Sequence, residues 1–369
     1  MNCAHLSHTG STISRRVGVV SLMTQSKANA DTTTMANGYI GPYKLLGEIG
    51  QDEAGQVFEA VDLLRKRRVA IKHLRPAAGP QHEIEPRLFS EAETLTLLNH
   101  PHIARLFGFV RRDDQLYLVM ESVEGESLQA VLKGKGRFEP SVTLAFFYQI
   151  LSAVGFAHRL RVIHGDLKPS NIMLTKLGII KVLNFPIAPI LGTPRLALLR
   201  AGNVRYMAPE QSAGEPGDVR SDIYSSVILL YEMIVGNVPF DGASDEKIVR
   251  AKAETTPLLP SLAVPELPNW LDAVVLRALS VSPFDRFQSV TELSQAISAP
   301  LAVAAGPAWP ISMRVRVRRS AERLASACNS AAEKARQSFA VSVSEKPVAL
   351  YSSRATPENN SVGKQLNVT

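Results

Sequence analysis

The hydrophobic period of this chain changes once, near Gly125, and that change restricts its fold more than any other feature. Ahead of it, apolar and polar residues alternate in short runs. Tyr43-Lys44-Leu45-Leu46 comes first and a glycine turn follows. Gln56-Val57-Phe58-Glu59-Ala60 and Arg68-Val69-Ala70-Ile71-Lys72 are next, then Ile103 to Val110 and Gln115 to Glu121. Alternation bounded by turn residues marks strands. One helix-period stretch interrupts them, from about Leu88 to Asn99, with Leu88, Ala92, Leu95 and Leu98 on one face and His100-Pro101 closing it. Behind Gly125 the spacing is helical over Leu128–Leu132, Ser141–Arg159, Arg220–Val235, Asp245–Ala253, Trp270–Leu279 and Val290–Ile297. Short strands near Ile172–Leu174 and Ile180–Leu183 break that pattern. The expected architecture is α+β: a small β-rich front with one helix, a larger and mainly helical back, and a junction at Met120–Gly125.

Composition removes other classes. Of 369 residues, 45% are hydrophobic and 20% charged, as in an ordinary globular protein. The two cysteines, Cys3 and Cys328, stand near opposite ends, so neither a disulfide framework nor a zinc cluster is expected. No uninterrupted apolar run reaches the roughly 18 residues of a membrane span, and a cytoplasmic setting is the simplest expectation. The short apolar run Val17–Met23 after Arg15-Arg16 lacks a convincing cleavage site. The net charge of +7 is concentrated behind residue 298, where 10 Lys and Arg face 4 Asp and Glu. The remainder is nearly neutral, 31 against 30, so no specific nucleic-acid partner is expected.

Seven short motifs occur in order. They are Ile49-Gly50 to Val57, Val69-Ala70-Ile71-Lys72, His164-Gly165-Asp166-Leu167-Lys168-Pro169-Ser170-Asn171, Asn184-Phe185-Pro186, Met207-Ala208-Pro209-Glu210, Asp222-Ile223-Tyr224-Ser225 and Asp285-Arg286-Phe287. Their order and spacing resemble the protein kinase family, and most closely its bacterial serine/threonine branch, over about residues 40–298. The resemblance implies a bilobal fold with an N-lobe at 39–121, a hinge at 121–125 and a C-lobe at 126–298. A leader, 1–38, precedes it. A basic tail, 299–369, follows, starting as a Pro-interrupted linker and containing the Arg314–Arg319 cluster and a helix-period stripe.

What the family does is transfer the γ-phosphoryl of ATP to a protein hydroxyl, chiefly by positioning and charge neutralisation. By resemblance, Lys72 holds the α- and β-phosphates and pairs with Glu91. Asp166 accepts the proton of the substrate hydroxyl, Lys168 touches the γ-phosphate, and Asn171 and Asn184 are the metal ligands. Gly50 and Gly55 belong to the phosphate loop. Val57, Ala70 and Met173 sandwich the adenine, Met120 stands behind it, and the backbones of Glu121 and Val123 meet its edge. His164 is expected in an apolar spine with Leu95, Leu106 and Phe185. Asp222 is expected to brace the catalytic loop and Arg286 to pair with Glu210. The implied cofactors are ATP and Mg²⁺, with Mn²⁺ as an alternative ion; the implied partners are ATP and a protein substrate or signalling protein. The basic tail adds a docking alternative, an anionic membrane surface.

Several positions depart from the family pattern. The phosphate loop reads Gly50-Gln51-Asp52-Glu53-Ala54-Gly55-Gln56-Val57, with Asp52 where a glycine lets backbone N–H groups approach phosphate. Asn184 replaces a metal-binding aspartate. Losing one contact carboxylate costs on the order of several kcal/mol at an effective dielectric of about 20. Pro186 replaces a glycine, pushing Phe185 out of the α region and removing an N–H. Gly165 stands where an arginine usually binds an activation-loop phosphate, and Asn203 where a threonine usually supports the catalytic loop. These changes set two expectations side by side: a kinase with weakened transfer, and a pseudokinase that signals by binding.

Overall fold

The computed structural model describes residues 38–52, 55–74, 94–112, 115–185 and 204–303. Its front is a six-stranded antiparallel sheet in the order β1-β2-β3-β4-β6-β5. The strands are β1 (Tyr39–Ile40), β2 (Tyr43–Asp52), β3 (Gly55–Asp62), β4 (Arg67–Leu74), β5 (Leu106–Arg112) and β6 (Gln115–Glu121). A second sheet, β7 (Gly125–Ser127), β8 (Ile172–Thr175) and β9 (Ile180–Val182), floors the back lobe. Around it stand helices α1 (Leu128–Lys135), α2 (Pro140–Arg159), α3 (Pro209–Ser212), α4 (Val219–Val235), α5 (Asp245–Glu254), α6 (Pro260–Ala263), α7 (Asn269–Ala278) and α8 (Val290–Val303). This is the bilobal α+β arrangement that the change of period implies.

The pleat sorts the front sheet into two faces. Ile40, Ala60, Val69, Ile71, Tyr117 and Val119 form a small outer core. Leu74 and Leu118 turn the other way and join a continuous core with α2, α4 and α7. Within α2, length and composition would permit a bilayer crossing, but 67% of its apolar window is buried inside the fold. Its hydrophobicity is therefore that of a core helix, packed on α4.

Three local expectations change. The chain after Leu46 does not turn; β2 runs on to Asp52, taking up Gly47 and Gly50 with register shifts at Leu45/Gly47 and Glu48/Gly50. Glycine tolerates such bulges, so it marks irregular strand here rather than strand end. Ile103 is not in a strand but makes an isolated bridge to Val182, and β5 starts at Leu106. The stretch from Ala299, read as linker, opens as the last turn of α8, which passes Pro300 to Val303. A proline that near a helix C-terminus removes only one backbone bond. Of the helix expected at 88–99, residues 94–96 are helical and 88–93 lie outside the described residues, as do the leader and the basic cluster of the tail.

His100 sits at the lobe junction and is 4% exposed. Its Nδ1 accepts the backbone N–H of His102, so Nε2 carries the proton and donates to Ser152 Oγ. Burial, with His102 adding to it, pushes His100 down to about 3. The unfolded chain takes up this proton near pH 6.5 while the folded one refuses it, so stability falls as pH drops below about 6.5. The expected slope is about 1.4 kcal/mol per pH unit. Urea unfolding at about pH 5 to 6.5, above the carboxylate range, reads it. His100→Leu should lose one proton's worth of slope, and an unchanged slope would refute the assignment.

Candidate active site

Strand register brings the expected nucleotide-contacting residues of the front lobe onto one sheet face. Val57 pairs with Lys72, Ala70 with Met120, Lys72 with Leu118, and Gly50 with Val57. Directly opposed residues in an antiparallel pair share a face, as do residues two apart along a strand. Val57, Ala70, Lys72 and Met120 therefore line the side that faces the back lobe. Lys72 is 4% exposed. Met173 comes from β8 opposite Ser127 and is also buried. Behind Met120 lies a small, mostly apolar, partly open pocket bounded by Leu95, Leu98, Leu106, Phe185 and Asn184. Glu91 lies outside the described residues, as does the side chain of Asp52.

Gly55 has a specific steric cause. Its φ is +153°, and a Cβ there would stand 1.7 Å from the carbonyl oxygen of His73. The register with β4 thus needs glycine whatever ligand is present.

The junction is held electrostatically. Glu121 accepts from Lys181 Nζ at 2.7 Å and from the Arg105 N–H at 3.1 Å, while its own N–H donates to the Arg105 carbonyl. Any backbone bond from Glu121 to a ligand must therefore use its carbonyl. Val123 is half-buried in the connection that follows.

The loop His164–Asn171 is suspended from the core. Asp222 Oδ2 accepts the His164 N–H at 2.8 Å and Oδ1 the Gly165 N–H at 2.7 Å, while His158 Nε2 reaches Oδ2 at 2.7 Å. Gly165 has φ +71°, a left-handed conformation in which an arginine would be strained. His164 donates through Nε2 to the Leu183 carbonyl and stacks edge-on to Phe185, with ring centroids 4.7 Å apart. Burial holds it below the usual histidine range against the opposing pull of Asp222. It is a neutral structural group.

Asp166, Lys168, Asn171 and Asn184 form one chain of contacts. Lys168 Nζ meets Asp166 Oδ2 at 3.0 Å. Asn171 Nδ2 donates to the Asp166 carbonyl at 2.8 Å and to Oδ2 at 2.9 Å. With both N–H groups spent there, only Asn171 Oδ1 can face Asn184, and Asn184 Nδ2 donates to it at 2.9 Å. Asn184 has φ +55°, a conformation asparagine tolerates.

On the far side, Arg286 clamps Glu210 through two bonds of 2.8 and 2.7 Å. Burial pushes Glu210 up, but hydrogen bonds from Arg286 and Ser221 outweigh it and hold the carboxyl below its usual range. Gln211, to which the sequence motifs gave no role, donates to the Gly165 carbonyl at 3.1 Å. It stands immediately after Glu210, and that adjacency was the available signal.

Residues 43–345 match the protein kinase domain family. The chain belongs to the protein kinase family. A probable serine/threonine-protein kinase of Streptomyces coelicolor is 34% identical over 269 residues, which covers 71% of this chain and 40% of the relative. The serine/threonine-protein kinase PrkC of Bacillus subtilis is 33% identical over 255 residues, covering 69% and 39%. The chain thus spans about two fifths of the length of these curated relatives. Among solved structures, the PknI kinase domain of Mycobacterium tuberculosis superposes with a TM-score of 0.58 at 26% identity, covering 72% of this chain and 99% of that domain. Both of these relatives are named as bacterial serine/threonine-protein kinases.

Kinases of this family use ATP with a divalent metal. The donor set here does not fit that ion. Mg²⁺ prefers charged oxygen ligands in strict octahedral geometry. Asn184 presents an N–H to the gap, and the one amide oxygen of Asn171 is taken by it. Asp166 Oδ2 is shared between Lys168 and Asn171. Asn184 and Asn171 thus close directly on each other where two oxygen ligands would need a cation between them.

Proposed function

We propose that this protein is a serine/threonine protein kinase that binds ATP in the cleft beneath β2–β4 and transfers its γ-phosphoryl weakly. Val57, Ala70 and Met173 enclose the purine, the Glu121 carbonyl and the Val123 backbone take its edge, and Lys72 meets the phosphates. Asp166 orients the acceptor hydroxyl of a protein substrate, with Lys168 beside it. The observation that carries the weakness is the Asn184–Asn171 hydrogen bond of 2.9 Å. It supports a second reading for the same reason: a member that holds nucleotide, transfers nothing and signals by docking. Single-turnover phosphorylation with Mg²⁺ and with Mn²⁺ separates them. A slow but Asp166-dependent transfer supports the first, and none with either ion supports the second. Both readings suit a cytoplasmic protein, and the basic tail offers a contact to an anionic membrane.

Nucleotide should bind with little help from Mg²⁺. ATP at about 100 times its Kd should add roughly 2.7 kcal/mol of stability. A thermal melt with ATP, with and without Mg²⁺, is the measurement. No shift at millimolar ATP would refute binding, and a shift that appears only with Mg²⁺ would refute the metal assignment.

A further inference from the structure

Lys252 is a lysine with almost no water. It lies on α5 and is 1% exposed. Its Nζ donates to the carbonyls of Val204 and Met207, the latter at 2.6 Å. The Tyr224 ring stands 5.7 Å away, near enough for a cation–π contact. Among the described residues no carboxylate lies within ion-pair distance of it; Glu210 faces it from α3 but is already clamped by Arg286.

The held carbonyl leads inward. The Met207 carbonyl shares its peptide unit with the Ala208 N–H, which donates to Gln211 Oε1 at 3.1 Å. Gln211 Nε2 then donates to the Gly165 carbonyl, whose peptide unit carries the Asp166 N–H. That N–H in turn donates to His164 Nδ1 at 3.2 Å. Hydrogen bonds in series polarise one another, so the strength of the outer bond is felt along the row.

We propose that Lys252 is a positioning residue whose proton sets how firmly the chain before α3 is held, and through Gln211 how the Gly165–Asp166 peptide of the catalytic loop is placed. The role of Asp166 rests on the kinase reading above; the hydrogen-bond row does not. A protonated Lys252 makes charge-assisted bonds, roughly twice as strong as neutral ones. A neutral amine keeps two N–H donors and stays in place, but its hold weakens.

The surroundings allow that change near neutral pH. Burial pushes Lys252 down to about 7, with Glu210 opposing. Tyr224 on α4 is held neutral by its own burial, and the Arg286 guanidinium lies 4.9 Å from its ring centroid. Arg205 is paired with Asp241 and Tyr206 with Glu232. On α5 itself, Arg250 and Glu254 pair at the exposed face.

NMR on the full chain tests this without needing activity. In the wild type the Lys252 Cε signal should titrate near pH 7. The amide signals of Arg205, Ala208 and Asp166 should move with the same midpoint. In Lys252→Met and Lys252→Arg that movement should vanish, because neither side chain changes charge in the range. His158 and His164 remain in both variants, so an Asp166 shift that survives in them comes from a group other than Lys252 and counts against the proposal. A Lys252 signal that titrates near its ordinary value of about 10.4 overturns the proposal. So does a wild-type Asp166 amide that does not move with Ala208. If Lys252→Met does not fold, the wild-type titration and Lys252→Arg still decide. A chain that titrates as stated but never phosphorylates would sink the kinase reading and leave the coupling standing.

Discussion

Asn184→Asp combined with Pro186→Gly should raise transfer to a generic basic protein with Mg²⁺ by at least about tenfold, or about 1.4 kcal/mol of barrier. Asn171 cannot turn its amide, because both N–H groups are engaged by Asp166. An aspartate at 184 therefore sets oxygen against oxygen across a 2.9 Å gap, and a cation between them becomes favourable. Without metal the variant should be less stable than the wild type, and Mg-ATP should reverse the order. Pro186→Gly returns the N–H and the backbone freedom that proline removes. The two positions share one short turn, so their effects should be coupled rather than additive. Asp166→Asn on that background should abolish the gain, which excludes a contaminating kinase. A wild type already fully active with Mg²⁺ would end the weakened-transfer reading. A double variant that binds Mg-ATP yet stays inactive would move the defect to Asp52 or Asn203.

Arg286→Met should destabilise the protein by about 3–5 kcal/mol, because it leaves the Glu210 carboxylate, whose side chain is 11% exposed, without its charged partner. Arg286 is fully buried and also donates to the carbonyls of Ser280 and Val281 at 2.8 Å and of Arg220 at 3.4 Å, so three carbonyls lose a donor together with the carboxylate. Arg286→Lys should recover only part of the loss, since an ammonium cannot reproduce the two-pronged bond to Glu210. Denaturant unfolding at pH 7 reads both. A loss below about 1 kcal/mol for Arg286→Met would show that the pair contributes little.

The front sheet was legible because its strands alternate and a pleat turns alternation into faces. The pleat puts Ala70 and Lys72 on one face, and the cross-strand register adds Val57 and Met120 to it. The motif order likewise predicted that Asp222 braces the His164 loop and that Arg286 pairs with Glu210. Where legibility failed, a local signal had two meanings. Gly47 and Gly50 read as a turn but sit inside a bulged strand. Pro300 read as the start of a linker but lies three residues from a helix end.

Lys252 shows the limit most clearly. It stands one helical turn after Ile248, on the same face of α5, and both are buried. A lysine on the apolar stripe of a charged helix was visible in the sequence. That it turns inward to two carbonyls 48 and 45 residues away was not.

The sequence alone determined the lobes, the order of the kinase motifs and the absence of a carboxylate at 184, since each depends on residue identity and near-neighbour spacing. The tertiary structure decided which polar groups meet. Asn184 finds Asn171 from 13 residues away, Gln211 finds Gly165 from 46, and Asp222 finds the catalytic loop from 57 and 58. A side chain's reach is short, and only the packed core can bring such distant partners within about 3 Å and remove the water that would otherwise satisfy them.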